Sequence, residues 1–160
     1  MVSLMSQLRS QVDSLRDALI SDGFSVSCIH GGLSRSERQK AYEDFKNVRT
    51  TFLIASDIYA RGVDFPMVTT VISLGVPMTK SHGVSEPDYE TYLHRNGRTG
   101  RAGRRGISVT LTLSLKDEEA IRDIQAHFAC DFPISPVSDP FQRSELEAIV
   151  KVLEDFGMTI

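Results

Sequence analysis

The stretch Thr51-Phe52-Leu53-Ile54-Ala55-Ser56-Asp57-Ile58-Tyr59-Ala60-Arg61-Gly62-Val63-Asp64 passes from an apolar run directly into a loop dense with polar groups. Residues 51–55 are short, apolar and rich in β-formers, which predicts a strand buried on both faces. The nine residues behind it carry a hydroxyl, two carboxylates, an arginine and a glycine. Such a loop reads equally well as a turn held by local side-chain hydrogen bonds or as a site at a strand end.

The sequence on either side decides the fold around this stretch. Residues 69–74 repeat the strand pattern, and residues 25–29 and 107–113 read as two more strands. Leu8, Val12, Leu15 and Leu19 recur at helical spacing, with Gly23 as a stop. Ser34 with Glu37 three positions on is a capping box opening a helix through Ala41, Tyr42 and Phe45. A helix is expected from about Asp88 through an arginine cluster. Two more are expected over residues 117–128 and 144–156, with a short strand over 133–137 between them. Apolar strands alternating with amphipathic helices imply an α/β fold, a parallel sheet with helices on both faces, in one domain spanning residues 1–160. Ligands in such folds sit at the carboxyl ends of the strands.

The chain has 160 residues, 41% hydrophobic and 24% charged, with two cysteines and a net charge of −3. That length supports a core without disulfides or metal. Cys28 and Cys130 are too few for a disulfide framework, which fits a reducing compartment, cytoplasmic or nuclear. No apolar run reaches the roughly 18 residues that span a bilayer, and residues 1–9 lack a signal-peptide core, so no membrane partner is expected.

The net charge hides an asymmetry. Residues 91–116 contain no acid and carry a charge of +6, leaving −9 on the rest. Within that window lies His94-Arg95-Asn96-Gly97-Arg98-Thr99-Gly100-Arg101. On a continuous helix His94, Arg98 and Arg101 would share one face, and like charges so placed repel unless an anion lies between them. Gly97 and Gly100 would each cost about 1 kcal/mol inside a helix. Close approach to a backbone or ligand would explain them, and guanidinium forks suit phosphate.

At these separations Ser56-Asp57-x-x-Ala60-Arg61-Gly62-x-Asp64 resembles motif V, and His94-Arg95-x-Gly97-Arg98-x-Gly100-Arg101 motif VI, of the DEAD-box RNA helicases. His30-Gly31-Gly32 with Arg38 and Phe45 resembles their RNA-contacting segment. The chain is thereby similar to the family's C-terminal RecA-like lobe. Its connection after Pro77, with residues 86–94, is most similar to the mRNA-export subfamily of the nuclear pore. The resemblance implies that Asp64 binds the ATP ribose, that Arg98 and Arg101 reach the γ-phosphate as arginine fingers, and that Arg61, His94 and Arg95 hold the interface with the other lobe. It implies RNA-backbone contacts from Gly31, Arg38, Ser56 and Asp57 without sequence readout. It further implies ATP with Mg²⁺ in the two-lobe enzyme, and a nuclear-pore activator with inositol hexakisphosphate acting through residues 78–88. The family has glutamine at Arg35, threonine at Ser56 and an aliphatic residue at Asn96. It also has an aromatic-bearing strand where Leu4, Met5 and Ser6 stand, which implies a first strand that is either truncated or diverged, with a weakened sheet edge and less support for the arginine helix.

No glycine is followed by lysine, so a Walker A loop is missing, and the Mg²⁺ ligands must come from an N-terminal DEAD-box lobe outside this sequence. The isolated lobe is therefore expected to be inactive as an ATPase. Asp117-Glu118-Glu119 read as helix-capping acids rather than as a DEAD box. His127 with Cys130 lacks the further ligands of a metal site, and no metal is assigned. The competing reading is a stand-alone RecA-like protein-interaction module whose arginines meet an acidic partner.

Overall fold

The computed structural model describes residues 1–57, 65–81, 83–100, 103, 105–132 and 134. Five strands form one parallel sheet: β1 (Val2–Ser6), β2 (Val26–Ile29), β3 (Phe52–Ser56), β4 (Thr70–Leu74) and β7 (Ile107–Leu111), in the order β2-β3-β1-β4-β7. The helices are α1 (Arg9–Ser21), α2 (Arg35–Lys46), α3 (Tyr89–Asn96) and α4 (Leu115–Phe128). The expected strand over 133–137 and helix over 144–156 fall mostly or wholly outside the described residues. No helix among those residues is long and apolar enough to cross a membrane.

The first strand corrects the expectation of a weakened edge. β1 is central, paired in register with β3 (Leu4 opposite Ile54) and β4 (Leu4 opposite Ile72). All five of its residues are buried. Two serines in five residues masked the apolar signal, yet at a sheet centre even polar side chains are covered by both layers.

Alternation along the strands sorts two cores. Val2, Leu4, Phe52, Ile54, Ile72 and Leu74 face α1, meeting Val12, Leu15 and Leu19. Met5, Leu53, Ala55 and Val71 face the other way, toward Phe45 of α2 and Phe65. Leu8, counted in the helical stripe, is instead the exposed N-cap residue of α1. A third cluster, Val76, Tyr92, Ala120, Ile121 and Ile124, seats α3 and α4 beyond the end of β4.

The connection after Pro77 contains an antiparallel hairpin, β5 (Met78–Ser81) with β6 (Val84–Pro87). Its sequence is polar on both faces and gives no alternation to read. Gly83, at φ +81°, makes the turn that a β-branched residue would resist.

Candidate functional site

Because the five strands are parallel and in register, their carboxyl ends lie along one edge. Ser6 is level with Ser56 and Leu74, and Ile29 with Ala55. The segments leaving those ends, residues 30–33, Asp57 and Gly75, are thus brought together from distant parts of the sequence. Ser56 is buried at 8% exposure and ends β3, while Gly31 is exposed in the loop beyond β2.

Asp57 and Arg95 form the strongest polar contact at this edge. Arg95 Nε donates to Asp57 Oδ1 at 2.7 Å and Nη2 to Oδ2 at 2.8 Å, a bidentate fork. Nη1 donates to the Gly75 carbonyl at 3.0 Å. Arg95 is 2% exposed, so its charge survives burial only through these partners. The resemblance implied a lobe-interface role for Arg95 and an RNA contact for Asp57, and within this chain the two side chains are turned toward each other. Each satisfies the other, and together they tie the segment after β3 to the arginine segment.

That segment is not one continuous helix. α3 has Asp88 as its N-cap, whose carboxylate accepts from Thr91 N–H at 2.9 Å, and it ends at Asn96 with Gly97 as C-cap. Arg98 N–H bonds Arg95 O and Thr99 N–H bonds Asn96 O, at 3.1 and 3.4 Å, so the chain tightens into successive short turns. The helical face expected for His94, Arg98 and Arg101 is therefore broken after Asn96. The glycines act differently from the expected helix cost. Gly100 has φ +71°, and a Cβ at Gly106 would overlap Gly100 N and the Thr99 side chain. The close backbone approach lies between these two segments.

Arg98 is half-buried and its Nε donates to the His94 carbonyl at 3.0 Å, which fixes the guanidinium beside the end of α3. The His94 side chain is 43% exposed, with Nδ1 3.8 Å from Glu90 Oε1 and without a hydrogen-bond partner. Arg61, Asp64 and Arg101 lie outside the described residues.

On the β2 side, His30 is 3% exposed. Its Nδ1 accepts the Gly32 N–H at 3.1 Å, which places the ring proton on Nε2, and Nε2 donates to Asp13 Oδ1 at 3.1 Å. Arg16 Nη1 donates to the same carboxylate oxygen at 2.9 Å. Asp13, Cys28 and His30 form a cluster of metal-type donors. With Nδ1 accepting a hydrogen bond, however, Nε2 has no lone pair to give a metal. Burial pushes the Cys28 thiol up to about 11, so it stays protonated. These residues do not fit a metal centre. The network instead holds the Gly32 N–H, and Arg38, half-buried on α2, donates from Nη1 to the Leu33 carbonyl. The sequence reading missed Asp13, because a helical carboxylate carries no signal until its partner strand is known.

Asp117 was read as a cap and does more. Ser114 is the N-cap of α4 and accepts from Asp117 N–H, while Asp117 Oδ1 accepts Val76 N–H at 3.0 Å and Oδ2 accepts Leu113 N–H at 2.9 Å. One carboxylate thus joins the ends of β4 and β7 to α4. His127 stacks on Tyr89 with ring centroids 3.9 Å apart, a packing role.

Residues 1–103 match the family described as helicase conserved C-terminal domain. ATP-dependent RNA helicase dbp5 of Botryotinia fuckeliana is 38% identical over 146 residues, covering 91% of this chain and 30% of that protein. S. cerevisiae Dbp5 bound to RNA and ADP BeF3 superposes with a TM-score of 0.75 at 29% identity, over 99% of this chain and 38% of that one. A variant of S. cerevisiae Dbp5 bound to a Gle1 variant and IP6 gives 0.77 at 32% identity, over 96% and 38%. The chain therefore spans about a third of the length of the relatives it matches.

Proposed function

Since the chain belongs to the helicase conserved C-terminal domain family, as the C-terminal RecA-like lobe of a DEAD-box RNA helicase most similar to the mRNA-export group, we propose that it completes an RNA-stimulated ATPase. In this reading it supplies arginine fingers and RNA-backbone contacts to a first lobe that binds ATP. The observation that carries the reading is the bidentate Asp57–Arg95 pair, which links the segment after β3 to the segment bearing Arg98.

Arg98 and Arg101 then stabilise charge developing on the γ-phosphate, while Asp64 meets the ribose. Phosphoryl transfer asks mainly for positioning and charge stabilisation, and an arginine finger is worth about 10³ to 10⁵ in rate. The bond from Arg98 Nε to the His94 carbonyl anchors its guanidinium at the end of α3, beside the carboxyl edge of the sheet. His94 keeps its assignment to the lobe interface through its partly exposed imidazole. Gly31, Arg38 and Ser56 contact the RNA backbone, with Asp57 acting through Arg95. ATP arrives with Mg²⁺, whose ligands belong to the first lobe.

Likeness to the Gle1 and IP6 complex supports an activator of that kind, with inositol hexakisphosphate, working at the nuclear pore. The hairpin of β5 and β6, with Val84 65% exposed, is its proposed docking element. The test joins this chain to a DEAD-box first lobe and measures ATP turnover with and without RNA. RNA-stimulated hydrolysis that collapses in Arg98→Lys supports the reading, because lysine keeps the charge and loses the fork. Wild-type turnover in that variant would return the basic segment to a protein-binding role.

A further inference from the structure

The peptide group between Gly75 and Val76, just past the end of β4, is bonded on both sides. Its carbonyl accepts from Arg95 Nη1 at 3.0 Å, and its N–H donates to Asp117 Oδ1 at 3.0 Å. A trans peptide points these two groups in opposite directions, so the buried guanidinium and the carboxylate flank one rigid plane. Gly75, at φ +70°, makes the turn that presents the plane, and its own N–H is held by the Leu111 carbonyl at 2.9 Å. A Cβ built on Gly75 would stand 3.6 Å from Asp117 Oδ1, so the carboxylate closes directly over this turn. The second carboxylate oxygen accepts the Leu113 N–H at 2.9 Å and the Ser114 hydroxyl at 3.0 Å, which fixes the direction of the first.

We propose that Asp117 is a positioning residue for the arginine segment, acting on Arg95, and through it on Arg98, by way of this single peptide. The inference rests on the arginine-finger reading above and deepens it. A charged acceptor on the N–H polarises the peptide and strengthens the bond that its carbonyl accepts, and the low dielectric around Arg95, 2% exposed, magnifies the effect. Asp57 holds one edge of the Arg95 guanidinium and the Gly75 carbonyl holds the remaining nitrogen, so a displaced peptide would let the group pivot about Asp57. The Arg95 carbonyl accepts the Arg98 N–H at 3.1 Å, which hands any shift of Arg95 to the turn bearing Arg98. Helix capping alone does not ask for this geometry. An acid three residues after a serine N-cap ordinarily turns back to the N–H of the cap, as Glu37 does to Ser34 at 2.7 Å. Asp117 stands in the same place after Ser114, is one methylene shorter, and reaches across to β4.

That difference supplies the test. Asp117→Glu keeps the charge and completes the capping box of α4, while drawing the carboxylate from the Val76 N–H to the Ser114 N–H. In this chain joined to a DEAD-box first lobe, RNA-stimulated ATP turnover is measured beside thermal unfolding. Asp117→Glu should melt close to the wild-type temperature and keep its KM for ATP, while kcat falls roughly three- to tenfold, the rate equivalent of one hydrogen bond. Asp117→Asn keeps the side-chain shape, loses the charge and turns a donor toward one of the two N–H groups, so its kcat should fall at least as far. Ile121→Val, on the same helix, removes one buried methylene and no polar contact. It should lower the melting temperature and leave kcat at the wild-type value. In ¹⁵N NMR the Arg95 Nε–H should exchange with solvent faster in Asp117→Glu than in wild type.

Wild-type kcat in Asp117→Glu, with turnover still collapsing in Arg98→Lys, would overturn the inference and leave the arginine-finger reading standing. A wild-type joined protein without RNA-stimulated hydrolysis would overturn both. Losses of kcat that track melting temperature through Ile121→Val as well as the Asp117 variants would reduce Asp117 to a stabilising contact. An Arg95 Nε–H that exchanges at the wild-type rate while kcat falls would show that the loss runs by another route, and would overturn the inference too.

Discussion

Arg95 shows how a residue changes role between sequence and structure. As one arginine among several in a basic stretch, it reads as a surface cation. In the fold it is among the largest fully buried side chains and is held by three hydrogen bonds to Asp57 and Gly75. Replacing it by leucine leaves Asp57 charged and unpaired, which should cost about 3 to 5 kcal/mol in urea unfolding. A loss below about 1 kcal/mol would show that the fork contributes little. Cys28 behaves in the opposite way, as the plain buried residue that its strand predicts. Its thiol is held up to about 11 against an ordinary 9.0, mainly by burial. Raising a folded pKa makes the stabilisation complete below about 9 and lost as the pH climbs toward 11. Denaturation midpoints should therefore fall across that alkaline window in wild type and fall less in Cys28→Ala. At pH 8 a thiol reagent should modify exposed Cys130 quickly and Cys28 only on unfolding.

At the scale of elements, local chemistry was legible wherever a motif is self-contained. The capping box of α2 forms as written: Ser34 Oγ accepts from Glu37 N–H at 3.3 Å, and Glu37 Oε2 accepts from Ser34 N–H at 2.7 Å. Ser34→Ala should cost about 1 kcal/mol in thermal or chemical denaturation. The hydrogen bonds from Ser34 hold the Glu37 carboxyl below 4.5, so the stabilisation is present above that pH and is lost as the pH falls through the lowered value. The far end of α2 stores strain. Val48 follows the C-cap Asn47 with φ +58°, a region that β-branched residues avoid, and Arg49 N–H closes the turn on Asp44 O at 2.8 Å. Val48→Gly should raise stability by about 1 kcal/mol, since Val48 is 60% exposed and loses little packing. An unchanged midpoint would mean that the turn relaxes at no cost. Elements without a local signature, β1 and the β5–β6 hairpin, were not legible, because serine-bearing and doubly polar strands show no alternation.

For the whole molecule the decisive quantity is what one lobe lacks. The chain has basic groups suited to phosphate but no Walker A loop, so by itself it should hydrolyse ATP no faster than background in a phosphate-release assay. Measurable turnover that follows the protein through purification would contradict the division of labour between two lobes. Joined to a first lobe, the Asp64→Ala variant should raise the KM for ATP more than it lowers kcat, whereas Arg101→Lys should do the reverse. The two substitutions thus separate ribose binding from stabilisation of the transferring phosphoryl group.

The sequence by itself determined the parallel α/β class, α2 with its cap and the order of the polar segments, because apolar runs, capping chemistry and motif spacing are local properties of the chain. It also placed Ser56, Asp57, His94, Arg95 and Arg98 among the candidates. Only the tertiary structure decided what those side chains do. Asp57 and Arg95 are 38 residues apart and become partners through a shared sheet edge. Asp13 orients His30 across 17 residues, and Asp117 reaches the Val76 N–H from the start of α4. Strand centrality followed the same logic: β1 is buried by its neighbours on both sides rather than by its own hydrophobicity. Composition fixes which groups are available, while the meeting of distant segments fixes which are satisfied and which remain open to a ligand.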